Sequence, residues 1–422
     1  MELKPGYKMT EIGIIPDDWN ILPLGNEIER LESGVSVNSV DEERMLYSHD
    51  ESILKTSAVK DGFFLESECK KIAPNDVRRA KTNPRANTII ISRMNTPDLV
   101  GESGFVSKDY PKLFLPDRLW STRFRARSTT DVKWLSYLLS STENKRRIKS
   151  AATGTSGSMK NISKDALLAL PIPFPNPKEQ SAIAAALSDV DDLILALDQL
   201  VIKKQDIKQA VMQELLTGKK RLPGFNAKWG SKAIGDFTDC TSGGTPSTSV
   251  ASYWRGAIRW MSSGELNLKI VYDVEGRITE LGLKSSSAKM IPEKCVLVGL
   301  AGQGKTRGTV AMNMVPLCTN QSIAAILPNH EFASEYLYYN LDSRYDELRG
   351  LSTGDGGRGG LNLAIIKSIS VPFPKVEEQA AIASVFSDMD AEIVAIESRR
   401  DKTRALKEGM MQELLTGKTR LL

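Results

Sequence analysis

The strongest chemical signal in this 422-residue chain is a stretch with the residue spacing of a phosphate-binding loop. Gly299–Thr306 has the sequence GLAGQGKT and follows the apolar segment Cys295–Val298. In such loops the glycines let backbone amides approach the phosphates of a nucleotide, the lysine pairs with those phosphates, and the hydroxyl binds Mg²⁺. Taken alone, the pattern indicates an ATPase or GTPase.

The residues that follow argue against a nucleotide site. A phosphate-binding loop needs a helix directly after its lysine, because the first amides of that helix point at the phosphates. Residues 307–310 are Arg-Gly-Thr-Val, which favour a strand or a loop. A P-loop nucleotide hydrolase stays open as an alternative. The preferred interpretation is a loop in which Gln303, Lys305 and Arg307 meet a nucleic-acid backbone or base edge.

Few other residues could carry out bond chemistry. The two histidines, His49 and His330, have no partner at metal-ligand spacing. The cysteines lack CxxC spacing, so they indicate neither a disulfide framework nor a zinc site and suit a reducing cytoplasm. No apolar run approaches the roughly 20 residues that span a membrane. Because nuclease and amino-methyltransferase patterns are also missing, we expect that, if the chain takes part in an enzyme, it does not supply the catalytic residues. The cysteines are Cys69, Cys240, Cys295 and Cys318.

Basic residues are concentrated in two stretches of the first half. No acidic residue occurs from Val77 to Pro97, and a second group begins at Arg118. Alternation through Arg123, Arg125 and Arg127 predicts three guanidinium groups on one face of a strand, where they would suit phosphates and guanine edges. A solvated sheet face is the alternative. The candidate DNA-binding residues of this half are Arg78, Arg79, Lys81, Arg85, Arg93, Arg118, Arg123, Arg125 and Lys160.

The candidate contacts of the second half are small, polar and aromatic. Thr241–Ser249 has the sequence TSGGTPSTS, and glycine and hydroxyl residues let a backbone approach a phosphate closely. A long turn-rich loop without a ligand is the alternative. The candidate DNA-binding residues of this half are Thr245, Ser247, Thr248, Ser249, Tyr253, Trp254, Arg255, Arg259, Ser262, Ser263, Gln303, Lys305, Arg307, Asn320, Gln321 and Arg358.

The elements that would position these loops occur twice. Residues 173–222 and 372–421 align without a gap at an offset of 199, and 25 of the 50 positions are identical. The chain is therefore an internal duplication, which predicts two similar units related by a pseudo-twofold axis. We expect domain boundaries at 1–163, 164–222, 223–362 and 363–422, with the second and fourth segments helical.

Each copy is predicted to be one long helix that ends at a glycine, Gly218 or Gly417. Apolar residues recur at steps of three and four, which indicates that the two helices pack on each other. An ordinary surface helix on its own domain is the alternative. The seam lapses at positions that include Lys204, Lys208 and Lys407. It resumes on Ile207, Val211 and Leu215 in the first copy and on Leu406, Met410 and Leu414 in the second. The expected packing residues are Ile183, Leu187, Val190, Ile194, Leu197, Ile382, Phe386, Met389, Ile393 and Ile396.

The globular part of each unit is predicted to be α+β with a mixed, twisted sheet. Each would end in a late helix and a glycine-rich loop, Thr153–Met159 or Ser352–Gly360. The clearest strands are Thr88–Ser92, Leu119–Phe124, Ile258–Met261, Ile270–Tyr272, Cys295–Val298 and Ser322–Leu327. The late helices are predicted over Asp131–Lys149 and Ser334–Leu348.

These segments resemble a known family. PIPFPNPKEQSAIAAALSDVDD and VPFPKVEEQAAIASVFSDMDAEI, each leading to QELLTGK, are similar to the helical regions of specificity subunits of type I restriction–modification systems. SGGTPSTS, YWRGAIRWMSSGELN and GLAGQGKTRGTVA resemble parts of a target recognition domain of that family. The first half departs from the pattern, since it has only ESGVS (residues 32–36) in place of the GGTP loop.

The resemblance implies two α/β target recognition domains, separated and joined by two long antiparallel coiled-coil helices. Each domain would read one half of a bipartite, asymmetric DNA sequence, and the helices would set the spacer and dock two modification (methyltransferase) subunits. S-adenosylmethionine, ATP and Mg²⁺ would then be bound by the modification and restriction subunits and not by this chain. A coiled-coil scaffold without a nucleic-acid role remains the further alternative.

Overall fold

The chain divides into two units that each combine one globular part with portions of two long helices. In this computed structural model, unit 1 comprises Met1–Leu197 with Arg399–Leu422, and unit 2 comprises Asp198–Ser398. The structure describes residues 5–40, 50–154, 158–302, 304–351 and 360–421. Among these residues, no helix is both long and apolar enough to cross a membrane.

The first half of the chain contains sixteen strands and three short helices ahead of the first long helix, within its described residues. The strands are β1 (Tyr7–Thr10), β2 (Gly13–Pro16), β3 (Asn20–Pro23), β4 (Ile28–Ser33), β5 (Ser39–Val40), β6 (Ser52–Leu54), β7 (Val59–Lys60), β8 (Gly62–Phe64), β9 (Cys69–Ile72), β10 (Thr88–Ser92), β11 (Met94–Asn95), β12 (Ser103–Val106), β13 (Leu113–Phe114), β14 (Leu119–Phe124), β15 (Lys160–Asn161) and β16 (Pro171–Phe174). The helices are α1 (Val132–Ser140), α2 (Thr142–Ala151), α3 (Lys164–Leu168) and the long α4 (Pro177–Leu215).

The second half follows the same order. Its strands are β17 (Gly230–Ala233), β18 (Cys240–Ser242), β19 (Trp254–Met261), β20 (Ile270–Val271), β21 (Arg277–Ile278), β22 (Met290–Ile291), β23 (Val296–Gly299), β24 (Val310–Asn313), β25 (Leu317–Thr319), β26 (Ile323–Ile326) and β27 (Ser370–Phe373). Its helices are α5 (Ile234–Phe237), α6 (Glu280–Lys284), α7 (Ser334–Asp342), α8 (Tyr345–Gly350), α9 (Leu363–Ser368) and the long α10 (Val376–Leu414).

Both units contain a mixed sheet with an equivalent order over five strands, to which unit 1 adds a sixth, β7. The sheet of unit 1 runs β4-β14-β10-β12-β8-β7, and that of unit 2 runs β18-β26-β23-β24-β20. In each sheet the fourth strand pairs antiparallel with the third and parallel with the fifth. A second, four-stranded sheet stands beside it in each unit, with the orders β13-β6-β9-β5 and β21-β19-β25-β22. The expectation of two similar α+β units with mixed sheets is confirmed.

The two late helices are each broken, and the prediction of one continuous helix over Asp131–Lys149 or Ser334–Leu348 is wrong. In unit 1 the backbone of Ser141 is extended between α1 and α2. The Ser141 hydroxyl and the Asn144 amide both donate to the carbonyl of Leu138, so side chains take over an acceptor that a continuing helix would use. In unit 2 the Ser343 hydroxyl donates to the backbone carbonyl of Asn340 in the same way.

The two long helices end as predicted. Both contain 39 residues, and both are followed by a glycine in the left-handed region, Gly218 and Gly417, each with φ +71°. The Lys220 amide donates to the Glu214 carbonyl, and the Thr419 amide donates to Glu413 in the equivalent bond. These bonds satisfy carbonyls that the last helical turn leaves free.

The helices pack antiparallel within each unit, as the heptad-like seam predicts. In unit 1 Ile183 and Leu187 of α4 belong to the same buried cluster as Leu414 and Leu415. In unit 2 Ile382 and Phe386 of α10 belong to a cluster with Leu215 and Leu216. Of the other expected packing residues, Ile194, Leu197 and Ile393 are buried, while Val190, Met389 and Ile396 are partly buried.

The predicted resumption of the seam holds on Leu215 and Leu414, which are buried, but it is wrong for Ile207 and Leu406. Both side chains are exposed, by 42% and 59%. The lysines at which the seam lapses face the partner helix, where each pairs with an acid. Lys204 Nζ lies 2.5 Å from Glu392, and Lys208 pairs with Asp390. The antiparallel pairing therefore continues through ion pairs where apolar periodicity stops.

The central ion pairs are the same in both units, with the helices exchanged. In unit 1 Lys407 Nζ of α10 lies 2.7 Å from Asp191 Oδ1 of α4, and the Tyr137 hydroxyl of α1 donates to Asp191 Oδ2 at 2.7 Å. In unit 2 Lys208 of α4 pairs with Asp390 of α10, and Tyr339 donates to that carboxylate at 2.9 Å. Burial and the adjacent carboxylate raise the pKa of both tyrosines, so each stays a hydrogen-bond donor.

A second ion pair in each unit joins the start of one long helix to the segment that follows the other. Glu179 of α4 accepts hydrogen bonds from Trp19 Nε1 at 3.0 Å and from Arg420 Nε at 2.5 Å. Its counterpart in unit 2, Glu378, accepts from Trp229 Nε1 at 3.0 Å and from Arg221 Nε at 2.6 Å. Both carboxylates are almost fully buried. The Glu179 and Asp18 carboxylates raise the pKa of Arg420, which therefore remains a permanent cation.

We expect Lys407→Met to lower the free energy of unfolding by about 3 kcal/mol, because it leaves the buried Asp191 carboxylate without its cation. Urea unfolding followed by circular dichroism measures this loss. Lys402→Met, at an exposed position of the same helix, should change stability by less than about 0.5 kcal/mol. The double variant Asp191→Leu with Lys407→Met should recover part of the loss. Equal effects of the two single variants would contradict a stabilising role for the pair.

Candidate nucleic-acid interface

The GGTP loop of unit 2 is held against a neighbouring turn by backbone contact. The Gly244 amide donates to the Thr319 carbonyl at 2.9 Å. A Cβ atom at Gly243 would overlap that carbonyl oxygen, and one at Gly244 would overlap Ser287 Oγ. Only glycine permits this approach. The two glycines thus set the position of the polar residues that follow them, beginning with Thr245.

Two tryptophan side chains hold the same loop through hydrogen bonds to its backbone. Trp260 Nε1 donates to the Gly244 carbonyl at 2.9 Å, and Trp254 Nε1 donates to the Ser247 carbonyl at 3.1 Å. The two indole rings meet edge to face at 5.1 Å. Both side chains are partly buried. In this arrangement Trp254, one of the candidate DNA contacts, orients the loop, and Ser247, Thr248 and Ser249 form its exposed surface.

Four of the candidate residues of unit 2 lie close together at the edge where two parallel strands end. β19 and β25 pair in parallel and end side by side, so Ser263 and Asn320 follow them at the same edge. Asn320 Nδ2 lies 3.5 Å from Ser263 Oγ, and the backbone N–H of Asn320 donates to the Met261 carbonyl. The Thr245 hydroxyl donates to Gln321 Oε1 at 2.6 Å. Thr245 and Gln321 are both exposed, so their remaining hydrogen-bonding atoms face solvent.

Arg259 is held by an acid of its own unit. It lies opposite Arg277 in the β19–β21 pair, and both guanidinium groups contact the Asp273 carboxylate. The hydrogen bond from Arg259 is the main cause that lowers the pKa of Asp273 below its usual value. Arg255 is exposed and has a positive φ of 62°. The Ser262 backbone N–H and hydroxyl both donate to Glu265, and Tyr253 ends the 3-10 helix that precedes β19.

The residues after the phosphate-loop pattern do not form a helix. Gly304–Thr309 is a turn that leads directly into the strand β24. Arg349 and Tyr345 donate to the carbonyls of Gly304 and Lys305, at 2.7 and 3.0 Å, so the turn is tied to α8. A phosphate site at a helix N-terminus is therefore not formed by these residues. Lys305 is exposed and Arg307 is buried, while Gln303 and Arg358 lie outside the described residues.

The basic residues of unit 1 are distributed over several loops. Arg78 and Arg79 end a 3-10 helix over Pro74–Arg79, where Arg79 pairs with Asp76 at 2.9 Å. The guanidinium of Arg93 lies 5.7 Å from the centre of the Trp120 ring. Lys160 lies opposite Asn95 in the β11–β15 pair. The remaining exposed members of the group are Lys81, Arg85 and Arg118.

The predicted row of three arginines on one strand is wrong. β14 ends at Phe124, after a register shift between Arg123 and Phe124. The chain then turns, and the Arg125 guanidinium donates to the Gly25 carbonyl at 3.1 and 3.3 Å. Arg123 lies 3.6 Å from Glu32. The alternation that places residues on one face holds only while the strand continues.

Unit 1 contains a counterpart of the GGTP loop that the sequence pattern obscures. A Cβ atom at Gly34 would overlap the Leu115 carbonyl oxygen, which is the same kind of approach that Gly243 makes to Thr319. Two residues beyond each glycine, a hydroxyl donates to an exposed acceptor, and in unit 1 Ser36 donates to Asp117. The candidate residues predicted from sequence include neither Ser36, although it belongs to ESGVS, nor Asp117. The Ser-Gly dipeptide that opens both loops was the available signal.

Within the described residues, no three His, Cys, Asp or Glu side chains form a group that could hold a metal ion. A sequence profile described as the type I restriction modification DNA specificity domain matches residues 77–205 and 226–404, well over half of the chain. The chain belongs to this family.

Individual relatives agree with the profile. The chain is 32% identical over 188 residues to the type I restriction enzyme MjaIX specificity subunit of Methanocaldococcus jannaschii, a match that covers 43% of this chain and 41% of that protein. It is 24% identical to the putative type I restriction enzyme MjaX specificity subunit of the same organism, covering 98% of this chain and 97% of the relative. The first of these matches thus spans less than half of the relative's length.

Solved structures show the same fold. The S subunit of a type I restriction–modification system from M. genitalium superposes with a TM-score of 0.59 at 17% identity, covering 98% of both chains. A chain from a structure of type I restriction–modification complex assembly superposes with a TM-score of 0.60 at 17% identity, covering 96% of this chain and 99% of the other. At such low identity the agreement concerns the fold.

We expect Gly34→Ala and Gly243→Ala each to displace the loop of their own unit, because the added methyl group meets a backbone carbonyl that cannot move aside. Hydrogen exchange measured by mass spectrometry should rise over residues 32–38 in the first variant and over 241–249 in the second. Gly264→Ala is the control, since its nearest neighbour, Ser262 Oγ, would be 3.8 Å from the new Cβ. Unchanged exchange in both loops would contradict the assigned contacts.

Proposed function

We propose that this chain is the DNA-binding specificity subunit of a type I restriction–modification complex, in which each unit reads one half of a bipartite, asymmetric target. The observation that carries the proposal is that the two units share one loop framework but present different side chains on it. Gly34 and Gly243 occupy equivalent positions, while the exposed residues that follow them differ. Two units with the same loop framework but different exposed side chains suit an asymmetric bipartite sequence.

We propose residues 1–163 and 223–362 as the two target recognition domains and residues 164–222 and 363–422 as the helical regions between and after them. The exposed basic residues of unit 1 would contact phosphates, which fix the position of the protein on the duplex. The polar cluster of Thr245, Ser263, Asn320 and Gln321 would approach base edges. The helices would set the spacer between the two half-sites.

The chemistry of the complex would belong to other subunits in the cytoplasm. Two modification subunits would carry S-adenosylmethionine, and restriction subunits would use ATP and Mg²⁺. Exposed apolar residues on the helices support such docking. In unit 1 these include Leu195 and Leu406, exposed by 51% and 59%, and in unit 2 they include Ile202 and Val394, exposed by 58% and 61%. Apolar groups on a helix face that is not used for internal packing favour a protein partner.

We expect the chain, assembled with its modification subunit, to bind a specific duplex with an affinity that falls steeply with salt. The logarithm of the binding constant should fall by about 0.9 per phosphate contact for each unit of log salt concentration. Arg78→Ala combined with Arg85→Ala should weaken binding and reduce this slope, since both side chains are exposed. Fluorescence anisotropy across a salt series measures both quantities.

Lys402→Ala is the matched control for this test, because it removes one positive charge from an exposed helix position outside the recognition loops. Its slope should equal that of the unmodified protein. Binding that is independent of salt, or absent with every duplex in the presence of the modification subunit, would reject the proposed function.

We also expect that lengthening the segment Leu215–Lys219, where α4 ends and the chain turns, lengthens the tolerated spacer and leaves both half-sites unchanged. Sequencing of methylated DNA from cells that carry the variant and its partner gives both the spacer and the half-sites. The same insertion in the exposed turn at Glu66–Ser67 of unit 1 should leave the spacer as it was. A changed half-site with a constant spacer would show that the helices do not act as a ruler.

A further inference from the structure

One pair of side chains occurs at the same place in both units with different chemistry. In unit 1 the Ser36 hydroxyl donates to Asp117 Oδ1, and in unit 2 the Thr245 hydroxyl donates to Gln321 Oε1 at 2.6 Å. All four residues are exposed. Each pair joins the loop after the first strand of the larger sheet, β4 or β18, to the turn before the second strand, β14 or β26. Within the described residues, these are the only side-chain pairs that do so.

The register of the sheets shows that the pairs are equivalent. Ser33 lies opposite Trp120 in the β4–β14 ladder, and Ser242 lies opposite Ala324 in the β18–β26 ladder. The residue after each serine is the glycine that approaches a backbone carbonyl, of Leu115 in unit 1 and of Thr319 in unit 2.

The acceptor of each pair lies two residues beyond that carbonyl. Asp117 follows Leu115 by two positions, and Gln321 follows Thr319 by two positions. In both units this turn also connects the short strand of the second sheet to the first sheet, since β13 precedes β14 and β25 precedes β26. The same backbone therefore presents a carboxylate in one unit and an amide in the other.

The hydroxyl of each pair fixes the orientation of its acceptor. A serine or threonine hydroxyl that donates to one oxygen restricts rotation of the carboxylate or amide, which would otherwise move freely at an exposed position. In unit 2 the bond places Oε1 of Gln321 toward Thr245, which leaves a second lone pair on that oxygen and both hydrogens of Nε2 for a ligand. The acceptor is then ordered before it meets the ligand, so less conformational entropy is lost on binding.

The two acceptors demand different partners. An aspartate carboxylate only accepts hydrogen bonds, and it repels phosphates and the acceptor atoms of guanine, whereas the amino group of cytosine in the major groove is a donor. A glutamine amide accepts and donates at once, which matches the N6 amino group and the N7 atom of adenine. Neither partner could be exchanged without leaving a polar group unpaired, which is the basis of discrimination between bases.

We infer that the Ser36–Asp117 pair and the Thr245–Gln321 pair are equivalent base-reading elements, the first recognising a cytosine and the second an adenine in the half-site of its own unit. The inference rests on the proposed function, because it names the bases that two particular side chains would read. It adds Ser36 and Asp117 to the interface of unit 1, and it explains how one scaffold can read two different half-sites.

The test exchanges one atom in each acceptor. Asp117→Asn keeps the size of the side chain and an oxygen for Ser36 but turns the other acceptor into a donor, and Gln321→Glu makes the reverse change. The chain assembled with its modification subunit selects duplexes from a randomised pool, and the bound fraction is sequenced. We expect Asp117→Asn to reduce the preference for cytosine about tenfold or more at one base pair of one half-site, and Gln321→Glu to reduce the preference for adenine similarly in the other.

Ser36→Ala and Thr245→Val leave the acceptors in place but free to rotate, so each should weaken the same preference without moving it to another base pair. Asp189→Asn and Gln205→Glu are the matched controls, since they make the same atomic changes at exposed positions of α4 and should leave the selected sequence unaltered. Thermal unfolding of each variant shows whether it folds, and an acceptor variant that does not is replaced by its hydroxyl variant.

The outcomes separate this inference from the proposed function. If the unmodified complex selects no sequence, the proposed function itself fails. If it selects a bipartite sequence that both acceptor variants select unchanged, the base-reading assignment is overturned while the proposed function stands. Changes by both variants in the same half-site, or uniform loss of affinity without a change of base, would overturn it as well.

Discussion

The structure depends on a carboxylate in each unit whose cation comes from the other long helix; this carboxylate is buried in unit 1 and partly buried in unit 2. Asp191 is 8% exposed, and its charge is balanced by Lys407 at 2.7 Å and by the Tyr137 hydroxyl. A carboxylate removed from water without such partners would cost several kcal/mol, so the pairing selects one register of the two helices. Slipping the pair by one turn would move the lysine about 5.4 Å and leave the carboxylate alone. The same aspartate also accepts from α1, which ties the helix pair to the globular part of the unit.

This constraint accounts for four of the positions that are identical in the two copies of the duplication. The residues that form the two ion pairs of unit 1 recur 199 positions away in unit 2 with the roles of the helices exchanged: Asp191 and Asp390, Lys208 and Lys407, Glu179 and Glu378, and Arg221 and Arg420. Every copy must supply an acid to its own globular part and a cation to the other copy's acid. Substituting one member of an ion pair would therefore destabilise one unit, so the acid and its cation would have to change together.

Sequence patterns predicted the helices and strands well, because apolar periodicity reports burial directly. They failed where polar groups decide the packing. The lapse of the seam at Lys208 and Lys407 is the place where the central ion pairs form, while the apolar Ile207 and Leu406 beside them point to solvent. Hydropathy cannot distinguish a solvated lysine from one whose ammonium group lies over aromatic rings, as that of Lys407 does over Phe63 and Tyr137. The broken late helices have a similar cause, since side-chain hydrogen bonds of Ser141 and Asn144 are not visible in periodicity.

The candidate interface was predicted unevenly for a related reason. Sequence patterns named side chains in a loop of recognisable composition, such as Thr245 and Ser247, as candidates, but they did not name Asp117, because it follows an apolar strand as a single acid with no pattern around it. What identifies it is contact across the fold, through Gly34 and the Leu115 carbonyl. The glycine determines where the loop lies, and the exposed residues beyond it make few contacts with the core. Their identity can therefore differ between the units at little cost in stability, which is the property that a scaffold needs if it is to present two different surfaces.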